Sequence, residues 1–316
     1  MPATLLCVVP NPSIDRTAVV ERIELGAIHR PPRVVAVPGG KGLNVARAAR
    51  SLGAEVEAVA LLAGRAGQWI DDELGRMGIR HETAWADGET RTCLSVLDAS
   101  TGRMTEFYES GGRVRAVQWR RFEALLAESI DRSEPGSLVA VSGSFPAGVG
   151  AAAAARLVRS ARRARRRILV DTSGPWLAAA LGARPDVVKV NAVEAGAVLG
   201  RAIESEPEAL GAAIDLVELG GRSAIVTRGP LGAIGWDGER GWAVDPPRVD
   251  GSHAVGSGDA FLAGVAIALL RAESFDRQLR RAAAAAAASL LEAGPGNLRR
   301  RTAERLLATT TIRRIR

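Results

Sequence analysis

Lysine is almost missing from this 316-residue chain. Of its 42 basic residues only Lys41 and Lys189 are lysine, and the other 40 are arginine. Arginine replaces lysine readily on a solvated surface, but not where a compact ammonium must fit beside a phosphate. The two retained lysines therefore mark positions where chemistry asks for them. Cysteine is as scarce: Cys7 and Cys93 are too few for a disulfide framework and lack the CxxC spacing of a metal site. Aromatic residues make up 4% of the chain, with one tyrosine, so no aromatic ladder offers bases a stacking surface. No stretch of about 18 uncharged apolar residues occurs, and with a mean hydropathy of +0.05 a membrane span is not expected. Met1–Pro10 has neither the basic start nor the small-residue cleavage site of a secretory signal, so a cytoplasmic location is expected.

What is present is an ordinary globular balance, 47% hydrophobic and 24% charged. The net charge of +7 raises nucleic acid as a partner. Its densest run, Arg159–Arg167 (RSARRARRR), ends an alanine-rich helix and reads as a solvated face leading into a buried strand. Nucleic acid is not the expected partner.

Short apolar runs alternate with helical stretches, the pattern of a mostly parallel sheet covered by helices. Strands buried on both faces are expected at Thr4–Val9, Val56–Leu62, Leu138–Val141, Ile168–Val170, Val187–Val190 and Ala224–Thr227. Helices are expected at Gly42–Leu52, Gln68–Met77, Arg120–Ile130, Val149–Arg165, Ala192–Leu199, Pro207–Leu219, Ala260–Arg271 and Gln278–Leu291. The last contains the block Ala282–Ala288, read as helix because alanine has the highest helix propensity. Thr17–Val20, Arg33–Val37, Thr92–Leu97 and Met104–Tyr108 are separated by turns instead of helices, and are expected to form a small accessory sheet, a lid. The lid is inserted within about 16–37 and 90–108 of one α/β domain spanning 1–316.

Four motifs carry chemistry. In Pro38-Gly-Gly-Lys41-Gly-Leu-Asn44-Val-Ala-Arg47 a glycine turn opens a helix, where backbone N–H groups and the helix dipole suit an anion. Ala254-Val-Gly256-Ser257-Gly258-Asp259 repeats the device. Its three successive amides offer a cradle for negative charge, and Asp259 is either a capping carboxylate or a general base. In Val188-Lys189-Val-Asn191-Ala-Val-Glu194 the Asn and Glu project together from a helix start, as a capping box or as ligands. Val226-Thr227-Arg-Gly229-Pro-Leu-Gly232 runs from a strand into a glycine turn, either a plain turn or a surface for a nucleotide.

In order and spacing these motifs, with Asn11-Pro-Ser-Ile-Asp15, resemble the ribokinase-like (PfkB-type) carbohydrate kinases over nearly the whole chain. The Thr90-Arg91 pair, SGSFPAG at 142–148 and LVDTSG at 169–174 look like the branch that acts on phosphosugars. The resemblance implies a central parallel sheet with a β lid, and ATP and Mg²⁺ as cofactors. It makes Asp259 the base and Gly256, Ser257 and Gly258 the anion hole. It places Asp15, Gly39, Gly40 and Asn44 on the sugar, with Arg91 and Lys41 on the sugar's phosphate. Lys189, Asn191, Thr227, Gly229 and Gly232 fall on the nucleotide side, and Glu194 organises the metal through water.

The sequence departs from the family at Ser257, at Val190, at His253-Ala254 before the anion hole, and in Glu292–Asn297, which supports no assignment of a monovalent-cation site. The expected activity is phosphorylation of a ketohexose phosphate to the bisphosphate. Alternatives are a kinase of an unphosphorylated sugar or nucleoside, and a binding protein on a kinase fold. A homodimer through the lid is the assembly considered.

Overall fold

The computed structural model describes residues 3–251 and 255–316, so His253 and Ala254 lie outside the described residues. In chain order the strands are β1 (Thr4–Val9), β2 (Ser13–Val20), β3 (Val34–Gly39), β4 (Glu55–Ala63), β5 (Arg80–Ala86), β6 (Arg91–Asp98), β7 (Arg103–Tyr108), β8 (Leu138–Ser142), β9 (Arg167–Asp171), β10 (Val187–Asn191), β11 (Ser223–Thr227), β12 (Ala233–Trp236), β13 (Gly241–Asp245) and β14 (Thr311–Arg314). The helices are α1 (Lys41–Ser51), α2 (Gly64–Arg76), α3 (Ala116–Arg132), α4 (Ala152–Arg163), α5 (Gly174–Leu181), α6 (Ala192–Leu199), α7 (Glu206–Glu218), α8 (Ser257–Leu270), α9 (Phe275–Ser289) and α10 (Arg300–Thr309).

Ten strands form the main sheet in the order β14-β13-β12-β11-β10-β9-β8-β1-β4-β5. Pairing is parallel from β5 to β11 and antiparallel from β11 to β14. Successive residues of the central strands face opposite cores. Leu5, Cys7 and Leu138 pack with α8 and α9, whereas Leu6, Val8 and Val139 pack with Phe122, Leu126 and Leu157 on the other face. That two-sided burial is why these strands read as continuous apolar runs. Helix α8 is buried along most of its length against α9. At their crossing a Cβ on Gly264 would lie 2.6 Å from Ala282 Cα, so the alanine block is a close-packing surface as well as a good helix former.

Four strands and two helices escape the sequence pattern. β5 and β14 sit at the sheet's edges, and β13 and then β12 follow β14 inward. β5 and β14 are half-exposed or exposed along most of their length, so their sequences carry no sustained apolar run. α5 opens Gly-Pro, which reads as a turn, and α10 buries only Ala303 fully. α4 starts at Ala152, three residues later than expected, because Val149 belongs to a turn bonded to Pro146 O. In the arginine run, Arg162 donates to Arg184 O, Arg166 to Ser133 O and Arg167 to Leu269 O, so these three tie loops together.

The accessory strands form a separate sheet, β3-β2-β6-β7, with antiparallel outer pairs and a parallel β2–β6 pair. It begins earlier than expected, at Ser13, and β3 runs on to Gly39. Among the described residues no helix is long and apolar enough to cross a membrane.

Candidate active site

The chain leaves β1 in one direction to build β4 and β5, and returns on β1's other side as β8, β9 and β10. Ligands of open α/β sheets bind outside the carboxyl ends of strands at such a switch point. Here those ends are capped by the N-termini of α1 and α8. They enclose a cavity of about 350 Å³ lined by Asp15, Gly40, Lys41, Asn44, Arg91, Lys189, Asn191, Glu194, Gly256, Gly258 and Asp259, among others. Residues from three of the four motifs thus meet in one space, together with Asp15 and Arg91.

Both lysines converge on one carboxylate. Asp171, fully buried at the end of β9, accepts from Lys41 Nζ at 2.7 Å on Oδ1 and from Lys189 Nζ at 2.6 Å on Oδ2. Burial opposes its ionisation, but the two ammonium groups win and hold it below the usual carboxylate range. Lys41 also reaches Glu194 Oε1 at 2.9 Å. Burial works against the Lys41 charge, yet Asp171, Glu194 and Asp259 hold it above its ordinary value. Lys189 also reaches the glycine turn before α8: a Cβ on Gly258 would lie 3.0 Å from Lys189 Nζ. Sequence reasoning quoted Asp171 within LVDTSG but gave it no role. The signal was available, since two functional lysines in a buried cleft need a counter-ion.

Asp259 stands in the first turn of α8 and, among the described residues, its carboxylate makes no bond to the backbone at the helix start. Its Oδ2 instead accepts from Asn44 Nδ2 at 2.9 Å. Burial and the neighbouring Asp171 push its carboxyl up to about 7, against the pull of Lys41 and Lys189. A carboxyl poised there exchanges a proton readily at physiological pH. Asn44, expected on the sugar, does line the cavity, but its amide is engaged between Asp259 and Arg47.

On the opposite wall, Asp15 accepts from Ser13 Oγ at 2.6 Å and from the Gly40 amide at 3.2 Å. Any Cβ on Gly39 would run into the Asp15 carboxyl, which explains that glycine. Arg91 opens β6, where its guanidinium donates to the carbonyls of Asn11, Pro12 and Glu109 at 3.2–3.4 Å. Ser144 and Tyr108 line the same space and were not singled out from sequence.

Thr227, Gly229 and Gly232 lie in a second, smaller cavity of about 90 Å³, shared with Pro246, Ser257, Gly258, Phe261, Ala283 and Ala286. Gly258 lines both cavities, so the start of α8 joins them. Asn191 and Glu194 form a complete capping box: Asn191 Oδ1 accepts from the Glu194 amide at 2.8 Å and Glu194 Oε2 from the Asn191 amide at 2.9 Å. The structural alternative for this pair is therefore realised, while Glu194 Oε1 still faces Lys41. Among the described residues no three His, Cys, Asp or Glu side chains gather to hold a metal ion. A divalent ion here fits only with phosphate or water oxygens completing its shell.

The model of the pfkB family carbohydrate kinases matches residues 3–301. The chain belongs to that family. Kinases of this family use ATP, typically with Mg²⁺. The kinase is similar in structure to Escherichia coli phosphofructokinase-2 in complex with fructose-6-phosphate, with 28% identity and a TM-score of 0.87 over 98% of this chain and 99% of that one. Two others share the fold. A protein described as a possible 1-phosphofructokinase from Thermotoga maritima has 24% identity and a TM-score of 0.90, over 99% and 100% of the two chains. Arabidopsis thaliana ribokinase, complexed with ribose and ATP, has 21% identity and a TM-score of 0.76, over 97% and 99%.

Proposed function

We propose that the kinase transfers the γ-phosphoryl group of ATP to a ketohexose phosphate, giving a bisphosphate. Fructose 1-phosphate, fructose 6-phosphate and tagatose 6-phosphate are the candidate acceptors. The observation that carries this reading is the position of Arg91, a cation on the wall of the cavity that also holds Asp15 and Asp259. A guanidinium grips a phosphate with two parallel hydrogen bonds.

In this scheme Asp259 takes the proton of the attacking hydroxyl. The new O–P bond forms as the bridging bond to ADP breaks. The amides of Gly256, Ser257 and Gly258, with Lys189, face the charge on the transferred group. Asp15, Gly39 and Gly40 hold the sugar hydroxyls, and Asn44 orients the base beside them. Thr227, Gly229 and Gly232 border the nucleotide. Lys41 belongs with the ATP phosphates more than with the sugar's phosphate, because its carboxylate partners are Asp171 at the end of β9 and Glu194 in the first turn of α6, beside the nucleotide-side residues Lys189 and Asn191. Mg²⁺, when bound, neutralises charge on the ATP phosphates, and Asn191 and Glu194 would hold it through water. Glu194→Gln should raise the Mg²⁺ concentration for half-maximal rate several-fold and leave sugar KM unchanged. An unaltered Mg²⁺ titration would reduce the pair to its capping box.

One observation favours an unphosphorylated acceptor: the carbonyls of Asn11, Pro12 and Glu109 already take three of the five N–H donors of the Arg91 guanidinium. ADP release decides between the readings, measured on the three ketohexose phosphates against free fructose, tagatose, ribose and adenosine. The expected result is the highest kcat/KM on a phosphorylated sugar. Arg91→Ala should then raise its KM about 10- to 100-fold, as loss of one or two charge-assisted bonds implies, with KM for ATP unchanged. An unphosphorylated compound at the top of the panel moves the kinase to the neutral-sugar branch.

The outer face of the small sheet lines a further apolar cavity of about 820 Å³ and exposes Val34 and Phe107, which favours a homodimer through this sheet.

A further inference from the structure

Arg47 has no part in the scheme above, yet it is 5% exposed, on α1 one turn beyond Asn44. A buried guanidinium is costly unless a carboxylate pairs with it. The partners of Arg47 are neutral instead. Nη1 donates to Asn297 Oδ1 at 3.1 Å, and Nη2 donates to Asn44 Oδ1 at 2.9 Å and to Pro295 O. Nε meets no acceptor among the described residues. Burial accordingly lowers the group to about 10, against the opposing pull of Asp15 and Asp259. Leucine or methionine would fill the same space at less cost, so the charge needs another reason.

Two pieces of geometry supply it. A guanidinium has only donors, so the side of Asn44 that faces Arg47 must be its oxygen. The Asn44 amide nitrogen is thereby turned to Asp259, where it donates at 2.9 Å. Rotated by half a turn, Asn44 would set a carbonyl against the carboxylate. The turn holding Pro295 and Gly296 is also wedged between α1 and the anion-hole turn. A Cβ on Gly296 would lie 2.9 Å from Asn44 Cα, and one on Gly256 would lie 2.8 Å from Pro295 Cα.

We infer that Arg47 is a positioning residue for Asp259: it locks the Asn44 amide as a donor to the base and ties the Pro295–Gly296 turn against α1 and the anion hole. This rests on the reading of Asp259 as the base.

The groups facing Asp259 are Lys41 and Arg47 from α1, Asp171 from β9 and Lys189 from β10. Arg47→Met removes a positive charge and frees Asn44 to turn. Both changes favour the protonated carboxyl, so the acid limb of kcat should move to higher pH by roughly one unit. At pH 7 kcat should fall about fivefold, while KM for ATP and for the best sugar phosphate of the panel stays put. Arg47→Lys retains the charge and should return the limb close to wild type. A folded Met variant with the wild-type limb overturns the inference. If thermal unfolding shows that the Met variant does not fold, the Lys variant decides alone. Its single ammonium cannot hold Asn44 and the turn together, so a kcat lowered several-fold at unchanged KM supports the role, and wild-type kcat overturns it. Asp259→Asn is assayed alongside. If that variant still turns over, the base reading fails by itself. If it is dead while Arg47→Met is normal, only the role of Arg47 fails.

Discussion

Asp259→Asn should lower kcat by at least about 10²-fold, with KM for ATP little changed. The substitution is nearly isosteric, and the new amide's oxygen can still accept from Asn44, which bonds Asp259 at 2.9 Å. What disappears is basicity. In the wild type, burial and Asp171 push this carboxyl from 3.8 to about 7, so kcat should climb between about pH 6 and pH 8 as the proton is lost. The Asn variant should show no such limb. Stability gives a second readout with a determined sign. A carboxyl whose folded pKa lies above its unfolded value binds its proton more tightly in the native state. Stability therefore falls as pH rises from about 4 through about 7. Replacing it with a neutral amide removes that loss, so Tm at pH 8 should be equal or higher. Near-normal turnover would leave Asp259 without a catalytic role. A lowered Tm at pH 8 would mean that its charge is structural.

Asp171→Asn should be the most destabilising of these substitutions. Lys189 is 3% exposed and pairs with Asp171 at 2.6 Å, and Lys41 shares the same carboxylate. Removing one partner of a buried pair strands a charge, which costs about 3–5 kcal/mol. Tm should fall on the order of 10 °C. Because the folded pKa of Asp171 lies below 3.8, the pairing contributes fully at neutral pH and is lost only as pH falls below that range. The wild-type and variant curves should therefore converge in strong acid. Thermal melts of Asp171→Asn, Lys189→Met and the double variant test the pairing itself. The double variant removes both charges and should recover part of the single loss. A single cost under about 1 kcal/mol, or a double variant no better than the single, would show that Asp171 is no anchor for the lysines.

Legibility differed between the sheet, its edges and the site. The six main-sheet strands read from sequence are the ones with apolar runs, because burial on both faces leaves that pattern in the residues themselves, and the four accessory strands were marked by the turns between them. The short edge strand β14, with its exposed arginines, leaves no such trace. Lys41 and Lys189 could be singled out from composition, because arginine had taken every other basic position. The glycines at Gly39–Gly40 and Gly256–Gly258 were visible because each set stands where a helix starts. Asp259 was visible too, but only as a cap or a base, and its bond to Asn44 was not legible.

What the sequence determined by itself was therefore local: which segments are strands, which turns can approach an anion, and which two cations matter. The tertiary structure decided the partners. Lys41 and Asp171 are 130 residues apart, Asn44 and Asp259 are 215 apart, and Arg47 and Asn297 are 250 apart. No periodicity relates residues at such separations. They meet because β1, β8, β9 and β10 lie side by side, with α1 and α8 starting over their carboxyl ends. Strand order brings the charges within 3 Å, and burial then makes each pairing obligatory, since an unpaired charge there would have no water to replace its partner.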